Sequence, residues 1–310
     1  MILNPGGTIA LSSMGWVDHD AIWSFDAAAG TSHTIQLKSG AEHCSLHAKS
    51  GDRFAVAHHF AGRRFELTVH DFSTPDAAIA RVVVSENQSA LTGTSSALAD
   101  VPSLYVTYLA FEPWRDYVLV EIDGEGGLTI HRLPWYDTSY DKDYQAIVDA
   151  VAIPGQRQAL ISVQRSSRLV VQDLESGDVV QTLNLGGGAG NPRLTVLDAA
   201  AEIWTTDYDS VAVVRTDRLK VRKRVRLQGA AQGTQLFVGD LSFAPHRDAC
   251  IVPRPFSHDV VALDLVKLKV QGTATVGREP LEAALLANGD VIARDWKTGD
   301  LLRATLGGKT

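Results

Sequence analysis

Apolar positions in this chain gather into short runs, mostly four to eight residues long, separated by Gly, Asp, Asn, Ser and Pro. Helical periodicity is nearly absent, and the pattern predicts an all-β chain. The clearest runs are Thr8–Leu11, Phe54–Ala57, Tyr117–Val120, Ala159–Val163, Glu202–Thr205, Ala249–Val252 and Val291–Ala293. Centred on Ile9, Val56, Leu119, Ile161, Ile203, Ile251 and Ile292, they are spaced by 47, 63, 42, 42, 48 and 41 residues. Most steps lie near the ~40–45 residues that one four-stranded unit of a radial repeat takes up. A further strand follows each run and often ends on an acid before a turn, as in Ile22–Asp26, Leu67–Asp71, Leu169–Asp173 and Val260–Asp264. An inner strand precedes most runs, as in Cys44–His47, Tyr105–Phe111, Ile147–Val151 and Leu241–Ala244.

The most regular copy is Arg278–Leu306, which reads strand, turn, strand, turn, strand. Asn288-Gly289 tolerates positive φ and closes its first hairpin. Only Gly307–Thr310 follows, so this copy lacks an outer strand, and Met1–Asn4 is the segment available to supply one. A lone four-stranded unit cannot bury both faces; packing such units around an axis buries them and leaves only short edges.

In Val276-Gly277-Arg278-Glu279-Pro280-Leu281 leading into Leu286–Asp290, and in Asn4-Pro5-Gly6-Gly7-Thr8-Ile9, the chain resembles WD40-like and YVTN-like seven-bladed β-propellers. The resemblance is one of architecture and covers the whole chain. It implies an all-β propeller of four-stranded antiparallel blades forming a single domain over residues 1–310, with six or eight blades as the other counts. The Gly-His and Trp-Asp signatures of WD40 repeats are missing, as is a literal Tyr-Val-Thr-Asn, so no activity is carried over.

Three stretches depart from the repeat. The 63-residue step contains the polar Ser85–Ser96, which reads as an inserted loop that no strand requires. Trp135–Tyr144 alternates aromatics with carboxylates, the chemistry of a sugar- or cation-binding lip or of a solvated loop pinned by its aromatics. Arg215–Leu227 sets seven basic residues against one acid. As a strand it places Lys220, Arg222, Arg224 and Arg226 on one face and Leu219, Val221, Val225 and Leu227 on the other. The charge suits an outer edge strand guarded against edge-to-edge pairing better than it suits a docking site for an acidic partner.

Composition narrows the functional classes. A net charge of −7 with a pI near 5.8 argues against general binding to nucleic acid or anionic membranes. No apolar run reaches the ~18 residues of a membrane helix. Met1–Gly7 has neither the basic nor the apolar region of a secretory signal, so the expected location is cytoplasmic. Cys44 and Cys250, both in apolar strand-like runs, are expected to be buried free thiols.

No His-Glu-x-x-His, Cys-x-x-Cys, Gly-x-Ser-x-Gly or Walker sequence occurs, so neither metal nor cofactor is expected. Gly186–Pro192 is glycine-rich but lies between strands, where it reads as an inter-blade turn. Propellers bind at the channel mouth, and mapping its loops gathers the candidate ligand-binding residues His19, His58, Arg165, Asp207, Arg254, Arg294 and Trp296. Arg165, Arg254 and Arg294 follow central strands of different blades and are expected to converge there. Two functional classes follow. One is a non-catalytic propeller that binds a protein or peptide partner on one face; the other is a small-ligand or hydrolase/lactonase-type propeller with its site at the channel mouth.

Overall fold

The computed structural model describes residues 1–13, 20–50, 52–60, 64–85, 90–97, 104–110, 116–122, 128–133, 147–163, 167–186, 192–197, 200–207, 210–227 and 238–308. These residues form seven antiparallel sheets, the blades of a β-propeller. Blade 1 is β1 (Ile2–Leu3), β2 (Ile9–Ser13), β3 (Ala21–Asp26) and β4 (Thr31–Gln36). Blade 2 is β5 (His43–Ser50), β6 (Arg53–His59), β7 (Phe65–Asp71) and β8 (Thr74–Ser85). Blade 3 is β9 (Ala90–Ala97), β10 (Leu104–Ala110), β11 (Asp116–Ile122) and β12 (Leu128–Leu133). Blade 4 is β13 (Ile147–Ala152), β14 (Gln158–Val163), β15 (Arg168–Asp173) and β16 (Val179–Asn184). Blade 5 is β17 (Leu194–Leu197), β18 (Glu202–Asp207), β19 (Ser210–Arg215) and β20 (Lys220–Arg226). Blade 6 is β21 (Ser242–Ala244), β22 (Ala249–Arg254), β23 (Asp259–Asp264) and β24 (Val270–Thr275). Blade 7 is β25 (Pro280–Leu285), β26 (Asp290–Asp295) and β27 (Leu301–Thr305), and a two-residue β28 (Gly307–Gly308) follows it.

The second and third strands of a blade are sandwiched between two neighbouring blades, which is why they read as unbroken apolar runs. On β19, Ala212 and Val214 join Ile203, Leu160 and Val171 between blades 4 and 5. The alternate residues Val211 and Val213 join Trp204, Cys250 and Val252 between blades 5 and 6. Each side chain deleted from such a run would leave a cavity on one blade interface only.

The acids that end third strands hold the following turns. Asp26 Oδ1 accepts from the amides of Ala28 and Ala29, Asp173 Oδ1 from Glu175 and Ser176, and Asp264 Oδ1 from Val266 and Lys267. Four residues beyond each acid the chain takes positive φ, at Gly30, Gly177 and Leu268. This is an Asx turn, in which a carboxylate stands in for a backbone carbonyl. Asp295 and Gly299 repeat it after β26. The Asn288-Gly289 hairpin joins β25 to β26 as expected, with the positive φ confined to Gly289.

Three expectations are corrected. Ser85–Ser96 is not a free insertion: Ala90–Ala97 is β9, the innermost strand of blade 3, which pairs with β10. The segments around Tyr105, Tyr117 and Leu128 therefore each lie one strand further out than the pattern suggests. Its polar, small-residue sequence misled because an innermost strand borders the central channel and needs no apolar run. Met1–Asn4 does not complete blade 7 either; Ile2 and Leu3 pair with Leu11 and Ala10 as the inner strand of blade 1. Blade 7 stays three-stranded, and the ring closes without a shared strand: Leu3, Ala10 and Phe25 pack on Ala284, Leu286 and Ile292, and the Ala287 amide donates to the Gly7 carbonyl at 2.9 Å. The chain end instead crosses to blade 6, where Gly307 and Gly308 pair with Thr273 and Gly272. A Cβ on Gly272 would sit 2.5 Å from the Gly307 carbonyl oxygen, so this approach requires glycine.

The basic stretch is the outermost strand of blade 5, as its charge predicts. Its faces do not alternate strictly, because a register shift falls at Arg222, between the pairs Val214↔Val221 and Val213↔Lys223. Val221 consequently packs toward blade 4 and Val225 toward blade 6.

Candidate functional site

The second strand of every blade ends on the same face of the ring, and the loops leaving it define the candidate binding face. His19 and Arg165 lie outside the described residues, as do Trp135–Tyr144, Trp16, Asp18 and Tyr208. The other candidates all stand at or just beyond the ends of second strands, but most are turned into the protein.

Asp207 ends β18 and is buried; Arg224 donates to its carboxylate at 3.1 Å and also to Ser210 Oγ at 2.6 Å and the Gly186 carbonyl at 2.7 Å. Arg254 ends β22 and grips Asp259 with two bonds of 2.7 and 2.5 Å. Arg294, on β26, donates to Glu282 Oε1 at 2.7 Å. The Met1 α-ammonium reaches the other oxygen of Glu282 at 3.0 Å, and Ser12 Oγ reaches it at 3.2 Å. Burial pushes Glu282 upward, but Met1 and Arg294 outweigh it and hold its carboxyl well below the usual carboxylate range. Burial likewise works against the charge on Arg294, and Glu282 more than restores it.

Trp296 differs. It follows β26, is 48% exposed, and its indole N–H donates to Glu279, which also accepts from Lys297 Nζ at 2.7 Å. The ring is thus fixed at its polar edge while about half of the residue meets solvent. The equivalent loop of blade 6 carries Phe256, 42% exposed, on a 3-10 turn that begins at Pro255 and closes at His258 with φ of 56°.

His58 stands at the seam of blades 1 and 2. It is the penultimate residue of β6 and pairs across the sheet with Cys44 of β5. Its Nδ1 lies 3.2 Å from Cys44 Sγ and 2.9 Å from Ser39 Oγ. Ser39 Oγ in turn donates to Asp20 Oδ1 at 2.6 Å, and Cys44 Sγ is 3.6 Å from that same oxygen. The amide of Gly40 fixes Asp20 Oδ2 at 2.8 Å. On its other side, His58 Nε2 meets Thr68 Oγ1 at 2.6 Å, and Thr68 Oγ1 meets His70 Nε2 at 2.7 Å. Burial pushes the Cys44 thiol up to about 12, with the Asp20 charge adding to the effect, so it is no activated nucleophile. Burial also brings His70 down to about 4, and it is neutral at physiological pH.

Sequence reasoning selected His58 but missed Asp20, Ser39, Cys44, Thr68 and Phe256. Register alone brings Cys44 beside His58, and Asp20 comes from another blade. Thr68 and His70 were separable from the apolar residues of β7 only by counting alternate positions. Both cysteines are buried and free, as expected.

No family model matches the chain, and no curated protein matches it in sequence. Solved structures match its fold. The β-propeller domain of Cps50 (Swd1) from Myceliophteria thermophila aligns with a TM-score of 0.67 at 13% identity, covering 100% of this chain and 96% of that one. The periplasmic gluconolactonase PpgL of Pseudomonas aeruginosa aligns at 0.63 and 16% identity, covering 97% and 96%. A chain of a mitotic checkpoint complex aligns at 0.61 and 10% identity, covering 99% and 87%. These identities show the propeller architecture alone.

Proposed function

We propose that this chain is a non-catalytic propeller that acts as one domain and binds a protein or peptide partner on the face where second strands end. One observation carries the reading: Asp207, Arg254 and Arg294, the described charged candidates at those strand ends, are paired within the protein, while Trp296 and Phe256 of neighbouring blades are exposed. Exposed aromatics on fixed loops are the usual anchors of protein interfaces. The guanidiniums of Arg254 and Arg294 grip Asp259 and Glu282, which disfavours an anionic small-ligand site built on them. Two free buried thiols fit a reducing, cytoplasmic setting, and no helix among the described residues is long and apolar enough to cross a membrane.

Site-specific photo-crosslinking tests the reading. A crosslinking residue at Trp296 or Phe256 should capture a discrete partner in cells of the source organism. One at Val266, 71% exposed on the opposite face, should not. Equal capture from both faces would sink the proposal. The second reading, a lactonase- or hydrolase-type site, would be favoured instead if the purified chain opened lactones and lost that activity on Arg294→Met.

A further inference from the structure

We propose that Asp20, Cys44 and His58 form a binding site for a divalent cation of the zinc class that ties blade 1 to blade 2. One oxygen of Asp20, the sulfur of Cys44 and a ring nitrogen of His58 all lie within 4.8 Å of one another. A tetrahedral ion bound at 2.0–2.3 Å sets its ligands roughly 3.3–3.7 Å apart. The sulfur-to-nitrogen and sulfur-to-oxygen separations of 3.2 and 3.6 Å match those edges with little movement. A thiolate, an imidazole and a carboxylate together select a borderline metal over magnesium or calcium, which prefer oxygen alone.

Proton counting points the same way. With His58 Nδ1 unprotonated, the thiol and the Ser39 hydroxyl supply two hydrogens for four contacts, those of Cys44 and Ser39 with Asp20 and with His58. Ser39 Oγ also accepts from the Ala41 amide at 3.2 Å. In that tautomer the cluster presents more lone pairs than protons, as a cation site does. Ser39 Oγ occupies the fourth corner, at 2.6 and 2.9 Å from its two neighbours. Those are hydrogen-bond lengths, so an ion would push the hydroxyl outward by a few tenths of an ångström or replace it with water.

The surroundings are those of a ligand set held from behind. Metal-bound histidine normally donates its second ring N–H to a fixed acceptor. In the tautomer that carries the proton on Nε2, His58 donates to Thr68 Oγ1 and Thr68 passes its own hydrogen to His70 Nε2, so that Nδ1 turns a lone pair toward Cys44 and Ser39; this is the tautomer an ion would select. The Gly40 amide holds the free oxygen of Asp20 in the same way. Cys44 and His58 are buried and Asp20 is half-buried at the rim, which gives an ion a route in. The site does not depend on the binding face proposed above.

Cobalt(II) is the probe. The full-length chain, reduced and stripped with chelator, should bind a single Co2+ per molecule, with the visible bands of four-coordinate cobalt and a near-ultraviolet thiolate band, all displaced by Zn2+. Cys44→Ser should abolish the thiolate band and weaken binding at least about tenfold, and Asp20→Asn should weaken it about tenfold while keeping the band. Cys250→Ser, in an apolar core elsewhere in the ring, should change neither. No spectral change in excess Co2+, or unchanged binding in Cys44→Ser, overturns the proposal. If Cys44→Ser does not fold, Asp20→Asn decides, and parental affinity in that variant overturns it.

Discussion

Two equivalent positions in blades 2 and 7 carry opposite chemistry. Cys44 on the inner strand faces His58 on the second strand of blade 2; Glu282 faces Arg294 in the same places of blade 7. Each pair lies at a seam with blade 1, and each recruits a polar group from it: Asp20 joins Cys44 and His58, and Ser12 with the Met1 ammonium joins Glu282. The blade 7 cluster is charged and closed, with opposite charges in contact. The blade 2 cluster has a carboxylate with no cation beside it among the described residues, a thiol and two histidines linked through a hydroxyl. In blade 4 the same position holds Asp149 opposite Ser162, and there hydrogen bonds cross the seam, from the Leu194 amide to Asp149 Oδ2 at 2.7 Å and from Ser162 Oγ to the Pro192 carbonyl at 2.6 Å. The difference teaches that the fold asks this position only for a polar tie to the neighbouring blade. Which tie is used is free to vary, and blade 2 has the version built from a thiol, an imidazole and a carboxylate.

Breaking the charged seam should have the largest effect. Arg294→Met strands a buried carboxylate beside one remaining cation, and should cost about 3–5 kcal/mol in urea unfolding. The double variant Glu282→Leu/Arg294→Met should recover most of that loss, since well-packed apolar residues replace buried pairs at little cost. A single-variant loss below about 1 kcal/mol would show that ring closure does not rely on this pair.

The two seams should also separate by pH. His70 in the unfolded chain takes up its proton near 6.5, but in the folded chain only near about 4. Between those values the unfolded state binds more protons, so this contribution is complete above 6.5 and is lost as pH falls toward 4. It amounts to on the order of 3 kcal/mol. His70→Leu should flatten that part of the stability curve. Glu282, held below its ordinary 4.5, keeps its contribution above that value and loses it only at lower pH. A curve for His70→Leu parallel to that of the parent would refute the assignment.

Thr68→Val sharpens the contrast further. It removes the hydroxyl that both buried imidazoles contact, at a cost of about 1–3 kcal/mol, and should lower cobalt affinity about 10–100-fold by freeing His58 to turn. Equal cobalt affinity would show that Thr68 does not orient the ring. The smallest stability effect belongs to Trp296→Ala, within about 0.5 kcal/mol, because the ring packs into no core. Loss of partner capture by this variant without loss of stability would separate binding from folding.

The sequence carried the blade pattern because that pattern is local. Continuous apolar runs such as Val211–Val214 mark strands covered on both faces, and acids such as Asp173 and Asp264 mark turns they hold themselves. Inner strands are legible only where they are apolar; the sequence of β9, which borders the channel, reads as a loop. Exposed Trp296 and buried His58 were both selectable by position, though nothing local told their burial apart. The pairing of Cys44 with His58 is a matter of hairpin register. The meeting of Asp20 with both, like that of Met1 with Glu282, depends on how neighbouring blades pack. Strand identity and turn chemistry are set within a few residues of chain, so the sequence by itself determined them. Which polar groups share a seam is set by contacts between blades and by ring closure, and only the tertiary structure decided it.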